Sequence, residues 1–569
     1  MLRDTKHNPG GPEIYWGEAE RVIGRALSML DIEATSGSFG SFDRTWWNWK
    51  FTDFPAPRFQ EGIFLLAWLF DSPNAPKIMY GNERLLERVG AVLRFWQSLQ
   101  HHDGAFDEAY PYERCLAATA FTGFYVGSAL ERLSGALSPD AEDSARKAIE
   151  RTSIWLRDNG EYHGVLSNHL AAAAGALQIA GDLFGTDKFR EARNRYLGII
   201  YDNQDPDEGW MREYGGADPG YQSHAMFYLA EIYRRSKDTT LRASIDAGCE
   251  FLAHFAHPDG TMGGEYASRG TKFAYPAAFE MLANDMPMAA SIACHLRTTI
   301  SAGRGILPAV SDAWNLFPLL NNFLFACDAA SATLEGPDLP WVADGSARFF
   351  PRAGLTVASA GGRLLVTAQG RGGAMKLWSK SNGQLIYEDC GYAASQGNRW
   401  LVSQSLSDAQ FVEDDELLSV CSESTFETTP SLRFDPWRFI GFRLFTLSVG
   451  RVPAAARLIK ALLVSLLIRN RRRSETKLVR RISFCEDGAL SIDDRLEGVS
   501  DEVIAVARQV PIHMGSSRYA DMTDWVGAVV APGNASPPDA DGVAMRLTTL
   551  RPGWEQVVVK PGEAGPAPT

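Results

Sequence analysis

A turn motif that recurs along the first part of the chain constrains the fold most strongly. Each copy has a glycine-containing turn, then aromatic and acidic or amide residues, then an apolar segment of helical length. The central glycines are Gly104, Gly160, Gly209 and Gly260. Successive copies are therefore 49 to 56 residues apart, a period that fits one helical hairpin with its loops. Looser copies starting at Thr45 and Gly305 extend the array to about six units.

Helical hairpins in this number can close into a ring, and the repeated turns would then all lie at one rim. The repeat predicts an (α/α)6-type helical toroid over residues 14–332. Beyond a Gly- and Pro-rich linker near residue 335, short β-branched or alternating runs are broken by Gly and Asp-Gly turns. These runs predict an antiparallel β-sandwich over residues 345–555. The predicted fold class is multidomain, helical first and β second, with polar chemistry gathered at the mouth of the toroid.

Composition excludes several functional classes. The chain has 569 residues and a net charge of -13, which argues against a nucleic-acid binder. Its seven cysteines are scattered without the spacing of a metal site. Phosphate-binding loops and dinucleotide fingerprints are absent from the sequence, so nucleotide chemistry is not expected. We therefore predict neither a metal nor another cofactor.

The segment from Arg451 to Arg473 combines a short apolar centre with strongly basic flanks. It is too short to span a bilayer, and it suits either a buried helix with a solvated basic turn or a helix lying on an anionic membrane. The N-terminal residues lack the apolar core of a secretory signal. The sequence therefore predicts a cytoplasmic protein, with peripheral contact to the inner membrane through this segment as an alternative.

A helical toroid followed by a β-sandwich of this size resembles the heparinase II/III-like and alginate lyase-like superfamily of polysaccharide lyases. The residues that carry the resemblance are Ser167-Asn168-His169, which opens an apolar helix, and the turn around Tyr214 and Tyr221. Tyr221 follows Asn168 by 53 residues, which matches the order and spacing of the family. The resemblance implies that Asn168 and His169 hold the substrate carboxylate and that Tyr221 acts at the scissile sugar.

The chemistry of such a lyase explains these residue types. β-Elimination at a 4-linked uronate removes the C5 proton, which is acidic only when the neighbouring carboxylate is neutralised. A tyrosine or histidine can act as the base, and a phenol can return a proton to the leaving O4. The predicted catalytic residues are Asn168, His169, Tyr221 and His224. Asn168 has a structural alternative, because Asn before an apolar run commonly caps a helix.

Aromatic faces that stack on sugar rings and cations that bind uronate carboxylates complete the predicted site. The predicted substrate-binding residues are Trp46, Trp47, Tyr110, Arg114, Arg212, Tyr214, Tyr266, Arg269 and Trp314. Each has a structural alternative, since aromatic side chains pack in cores and the rim arginines can pair with neighbouring acids. The expected partner is an acidic polysaccharide or oligosaccharide, such as an exopolysaccharide.

The sequence departs from the family pattern in the first strands of the sandwich. Where members of the family place a His-rich segment, this chain has Lys376, Trp378 and Lys380. This removes the expected metal site and a sandwich-borne histidine base. Two alternatives therefore remain open. One is an inverting glycoside hydrolase on an (α/α)6 barrel, with its carboxylate pair among Asp107, Glu108, Glu213, Glu265 and Asp312. The other is a noncatalytic polysaccharide-binding or assembly factor.

Overall fold

The computed structural model describes residues 10–50, 52–162, 164–396, 399–404, 408–411, 417–428, 435–464, 473–498, 503–506, 544–550 and 558–561. Helices fill the first part of the chain. They are α1 (Pro12–Leu27), α2 (Arg44–Trp47), α3 (Ile63–Asp71), α4 (Glu83–Leu99), α5 (Leu116–Arg132), α6 (Pro139–Asp158), α7 (Ser167–Phe184), α8 (Arg190–Asp202), α9 (Pro219–Ser236), α10 (Thr239–Ala253), α11 (Ala277–Leu282), α12 (Pro287–Ser301) and α13 (Ala313–Ala329).

Two concentric layers of helices form the toroid. The inner helices α3, α5, α7, α9, α11 and α13 contact one another in that order, and α13 returns to α3. Helices α1, α4, α6, α8, α10 and α12 lie outside them. The inner helices α5 and α7 are apolar on nearly all sides, whereas the outer α6 buries a single stripe. This arrangement confirms the predicted (α/α)6-type toroid.

The repeated glycine has a physical cause in the contact between each rim turn and the next outer helix. We use "rim turn" for the loop that precedes each inner helix. Gly104, Gly209 and Gly260 have positive φ, and a Cβ at each would collide with α6, α10 or α12. Gly40 makes the same approach to α4 with φ of +93°, so it is the true equivalent in the first unit. Gly160 has open space beside it and is not equivalent.

The second part of the chain is antiparallel β structure. The smaller sheet is a meander of β3 (Ser346–Phe350), β4 (Leu355–Ala360), β5 (Arg363–Ala368), β6 (Ala374–Ser379) and β7 (Leu385–Asp389). The larger sheet contains β8 (Tyr392–Gln396), β9 (Arg399–Val402), β10 (Asp408–Phe411), β11 (Leu418–Thr428), β12 (Arg473–Phe484), β13 (Leu490–Glu497), β14 (Val503–Val506), β15 (Ala544–Leu550) and β16 (Val558–Pro561). Its order is β14-β8-β9-β11-β12-β13-β15-β16, with β10 also paired to β11.

The two sheets share one apolar core, to which Leu365 and Leu377 contribute from one sheet and Val420 and Ile482 from the other. This packing confirms the predicted β-sandwich. The sandwich also packs against the toroid. Trp378 stacks on His257 with ring centroids 4.2 Å apart. Within the sandwich predicted over residues 345–555, the apolar run at 501–514 is described only from residue 503 to residue 506.

Two helices interrupt the larger sheet between β11 and β12. They are α14 (Pro436–Leu447) and α15 (Pro453–Val464), joined by a short 3₁₀ turn, and we call them the helical insertion. Phe442 packs edge-on against Tyr110 at 5.1 Å, and Arg443 donates a 3.0 Å hydrogen bond to Asp53. The insertion therefore lies on the rim of the toroid. Among the described residues, no helix combines the length and hydropathy needed to cross a bilayer.

Candidate active site

Asp218 joins two rim turns that carry predicted site residues. It caps α9 by accepting a 3.0 Å hydrogen bond from the Tyr221 N–H, and its other oxygen accepts a 2.7 Å bond from the Arg269 N–H. Burial raises the pKa of Asp218 to about 6, although these two donors oppose the shift. A short hairpin of β1 (Arg212–Glu213) and β2 (Gly216–Ala217) precedes the cap. Asp218 thus fixes the start of the helix that presents Tyr221 and the loop that presents Arg269.

Arg269 lies against two tyrosines at the mouth. Its guanidinium is 4.5 Å from the ring centroid of Tyr221 and 4.9 Å from that of Tyr214. A long hydrogen bond of 3.5 Å runs from Arg269 Nη2 to the Tyr221 hydroxyl. Cation–π contacts of this kind contribute roughly 0.5–2 kcal/mol each. The fold therefore brings three of the predicted residues together at one point.

Asn168 is buried on the first turn of α7, beside the same hairpin. The helix begins at Ser167 and has Leu166 as its N-cap residue without a side-chain hydrogen bond. The Asn168 side chain is therefore not the helix cap that the sequence offered as an alternative. Its backbone N–H donates a 3.0 Å bond to Glu213 Oε1. The residue is 1% exposed, and Oδ1 has no hydrogen-bond partner among the described residues.

Glu213 connects Asn168 with Arg269. Burial raises its pKa to about 8, and the charge of Arg269 and the N–H of Asn168 only partly oppose this. At neutral pH the carboxyl group is therefore mainly protonated. Oε2 has no hydrogen-bond partner among the described residues. A buried carboxyl group with a strongly shifted pKa and an unsatisfied oxygen is typical of functional sites. The sequence singled out Glu213 only for the hydrolase alternative.

His169 lies next to Asn168 and retains some exposure, 18% for its side chain. Its Nδ1 is 2.9 Å from Glu161 Oε2, and its ring meets Phe121 edge-on at 5.7 Å. The carboxylate of Glu161 fixes the ring orientation and favours a proton on Nδ1. Sequence reasoning missed Glu161, although its position in the third rim turn, seven residues before Asn168, was an available signal.

The structure corrects the role predicted for His224. Its ring is buried between Tyr275, at 4.2 Å, and Phe121, at 5.5 Å, and its Nε2 shares a 3.1 Å hydrogen bond with the Tyr228 hydroxyl. Burial, with the nearby charges of Arg58 and His169, holds its pKa well below the ordinary value. His224 is 4% exposed and packed between two rings, so it lacks the solvent access expected of the predicted acid or base.

The aromatic residues of the first rim turn are placed differently from the prediction. Trp46 packs against Phe95, and Trp47 donates from Nε1 to the Met29 carbonyl at 2.9 Å, so both are partly buried. Trp49 is 73% exposed, and Trp314, in the first turn of α13 just after the last rim turn, is 49% exposed. The open indole faces at the rim are therefore those of Trp49 and Trp314. Because three tryptophans stand within four positions, sequence alone could not separate packing from exposure.

Tyr266 and Tyr110 are covered. Tyr266 is 1% exposed and its hydroxyl is bonded to His257 Nε2 at 2.8 Å, under the sandwich. Tyr266 is therefore too buried to make the sugar contact predicted for it. Tyr110 is 8% exposed because the helical insertion lies over it. Arg114 is paired with Asp103 at 2.8 Å, as its structural alternative anticipated. Arg212 has an exposed side chain on the β1–β2 hairpin.

The helical insertion adds a cation that the sequence could not place. Lys460 of α15 reaches the second rim turn and pairs with Glu113 at 3.1 Å. A cavity of about 230 Å³ lies between α15 and the rim, lined in part by Arg114, Glu161 and Lys460. Lys460 is more than 290 residues from these partners along the chain. Only the tertiary fold brings them together.

Lysine–glutamate ion pairs occupy the place of the His-rich segment that the family has. Lys376 forms ion pairs with Glu265 and, at 2.8 Å, with Glu388; Lys376 and Glu388 are buried, and the side chain of Glu265 is 12% exposed. Lys272 pairs with Glu265 at 3.2 Å. These contacts fasten the sandwich to the rim turn that carries Arg269. In the part of the chain that the structure describes, no cluster of His, Cys, Asp or Glu is suited to hold a metal ion.

No protein-family model matches the chain, and no curated protein sequence is detectably similar to it. Solved structures do resemble it. The chondroitin AC lyase of Streptomyces coelicolor A3, determined with chondroitin sulphate, matches with a TM-score of 0.53 and 10% identity over 88% of this chain and 68% of its own. A Paenibacillus xanthan lyase matches with a TM-score of 0.53 and 9% identity over 86% of this chain and 46% of its own. Heparinase III gives a TM-score of 0.49 at 12% identity, over 87% and 73% of the two chains.

At such low identity the likeness concerns the arrangement of helices and strands. The toroid and the antiparallel sandwich both take part, because each match covers more than four fifths of this chain. The protein therefore has the fold, a helical toroid followed by a β-sandwich, that is found in chondroitin AC lyase and xanthan lyase.

Proposed function

We propose that the protein is a polysaccharide lyase that cleaves a uronate-containing acidic polysaccharide by β-elimination. The observation that carries the proposal is the meeting of Tyr221, Arg269 and the Asn168–Glu213 pair at the mouth of a fold found in polysaccharide lyases. A phenol can serve as the base and acid of this reaction, and a guanidinium and an amide can neutralise the uronate carboxylate.

In the proposed mechanism Arg269, Asn168 and His169, the last as an imidazolium paired with Glu161 through Nδ1, bind the uronate carboxylate and stabilise the negative charge that develops as C5 loses its proton. Tyr221 accepts that proton in its phenolate form. The C5 electron pair then forms the C4–C5 double bond, the C4–O4 bond breaks, and the Tyr221 hydroxyl returns the proton to O4. Arg269 lies where it can stabilise negative charge on the phenol oxygen. Glu213, protonated at neutral pH, adds a donor near the carboxylate.

The test is absorbance near 235 nm, which reports an unsaturated uronate, after incubation with a panel of acidic polysaccharides. Tyr221→Phe removes only the hydroxyl, so we expect the fold to survive and turnover to fall by about 10² or more. Tyr233→Phe, on the same helix but away from the rim, is the matched control and should keep full activity.

The outcomes separate the alternatives. New reducing ends without 235 nm absorbance would identify a hydrolase, with Glu213 as the candidate acid. Binding of a polymer without any product would identify a binding or assembly factor. Full activity of Tyr221→Phe on a substrate that the native protein cleaves would overturn the assignment of Tyr221.

A further inference from the structure

The outward face of the helical insertion exposes large apolar side chains to water. Trp437 is 81% exposed, Leu458 74% and Leu444 66%. Other apolar side chains of the insertion that are at least 45% exposed are Phe439, Ile440, Leu447, Val449, Val452 and Leu462. Apolar side chains gathered in this way on one segment mark an interaction surface, whereas single exposed ones need no explanation.

The inward face already accounts for how the insertion is held. Phe442 packs on Tyr110, Lys460 pairs with Glu113, and Thr446 and Ala456 are buried. The outward apolar side chains therefore contribute little to the docking of α14 and α15 on the toroid. They are exposed on a segment that other contacts already hold in place.

The charge of this segment indicates what the surface binds. The insertion, residues 436–464, has five Lys or Arg and no Asp or Glu, in a chain with a net charge of -13. Arg438, which pairs with Asp435 just before the segment, has a side chain that is 65% exposed, and Arg451 and Arg457 are also exposed. Apolar and aromatic side chains beside an excess of cations fit an anionic lipid interface. A second copy of the same face would instead bring like charges together.

We propose that the helical insertion docks the protein on an anionic membrane surface, with α14 and α15 lying in the interface and not crossing it. The surface extends upstream to Trp437, beyond the Arg451–Arg473 segment that the sequence indicated. The insertion borders the mouth of the toroid, so docking places the mouth beside the bilayer. This proposal does not depend on the proposed lyase activity.

The test is co-sedimentation of the full chain with vesicles of phosphatidylcholine alone or of phosphatidylcholine with phosphatidylglycerol. We expect binding to the anionic vesicles, weaker at high salt. The double variant Trp437→Ser/Leu458→Ser should bind at least tenfold more weakly, because two apolar side chains no longer enter the interface. Arg438→Gln should lower binding by about fivefold.

The matched control is Ile78→Ser/Tyr80→Ser, which removes two side chains that are 77% and 54% exposed between α3 and α4. It should bind vesicles like the native protein. Absence of binding to anionic vesicles, or an equal loss in the control, would overturn the proposal. So would a dimer in analytical ultracentrifugation that Trp437→Ser/Leu458→Ser abolishes while vesicle binding is unchanged. If the double variant melts early, Arg438→Gln, at an exposed position, replaces it, and native-like vesicle binding by Arg438→Gln would then overturn the proposal.

Discussion

Two neighbouring rim turns each carry a glutamate that is largely shielded from water, and the pKa values of the two carboxyl groups are shifted in opposite directions. At Glu265 the charges of Lys376 and Lys272 outweigh burial and hold the pKa far below its ordinary value. At Glu213 burial outweighs the charge of Arg269, and the pKa rises to about 8. The difference depends on what the sandwich supplies. Where it supplies a lysine, the carboxylate is held in an ion pair, and where it does not, burial keeps the carboxyl group protonated to higher pH.

The largest expected effect is on the pH dependence of stability at Glu213. Because its folded pKa is raised, its contribution to stability is fully present below its ordinary pKa and is lost as pH rises towards about 8. Glu213→Gln cannot ionise, so it should gain stability over the native protein between pH 5 and pH 8, on the order of 4 kcal/mol. Denaturant unfolding across this range measures the difference. Parallel pH profiles would contradict it.

Glu265→Gln should change stability in the opposite direction from Glu213→Gln. The substitution removes the negative charge that pairs with the buried Lys376, so it should lower the free energy of unfolding by about 3 kcal/mol at pH 7. This is the lower end for a broken buried pair, because Glu388 remains 2.8 Å from Lys376. The lowered pKa means that the contribution of Glu265 is present above its ordinary pKa and is lost at lower pH. A native-like Glu265→Gln at pH 7 would show that the two carboxyl groups do not differ as described.

Asn168→Ala tests whether the Asn168–Glu213 pair takes part in turnover. Turnover should fall by about 10² if the amide stabilises developing negative charge. The hydrogen bond to Glu213 comes from the backbone and survives, so unfolding should change by no more than about 1 kcal/mol. Ser167→Ala is the control, since it removes a 2.8 Å bond to the Arg212 carbonyl and should lower stability slightly without slowing turnover. Loss of stability without loss of turnover in Asn168→Ala would assign it to the scaffold.

The sequence predicted the fold well because its signals are local. The repeat period and the apolar character of the inner helices indicated the toroid, and the alternating runs indicated the sandwich. The motif glycine was partly misassigned, since Gly40 and not Gly160 makes the close approach to an outer helix. Both stand in turn-like sequence, and only the position of the neighbouring helix distinguishes them.

The site was less predictable because its chemistry depends on distant partners. Tyr214, Tyr221 and Arg269 belong to adjacent repeats and could be grouped from the sequence. The difference between Glu213 and Glu265 depends on Lys376, which is more than 100 residues beyond both. The burial of Tyr266 and of His224 likewise depends on what packs over them. Residue type and spacing do not report burial in a turn, and burial decides which groups ionise here.

The position of the helical insertion has a consequence for how such a chain can change over evolution. Strands β11 and β12 are hydrogen-bonded antiparallel neighbours, in register from Leu418 opposite Phe484, so the insertion stands where a simple hairpin turn would serve. The entropy of closing such a connection grows only logarithmically with its length. The segment can therefore lengthen, shorten or be exchanged while the ladder on either side keeps its register. One edge of the mouth is thus free to vary independently of the toroid that holds the candidate active site.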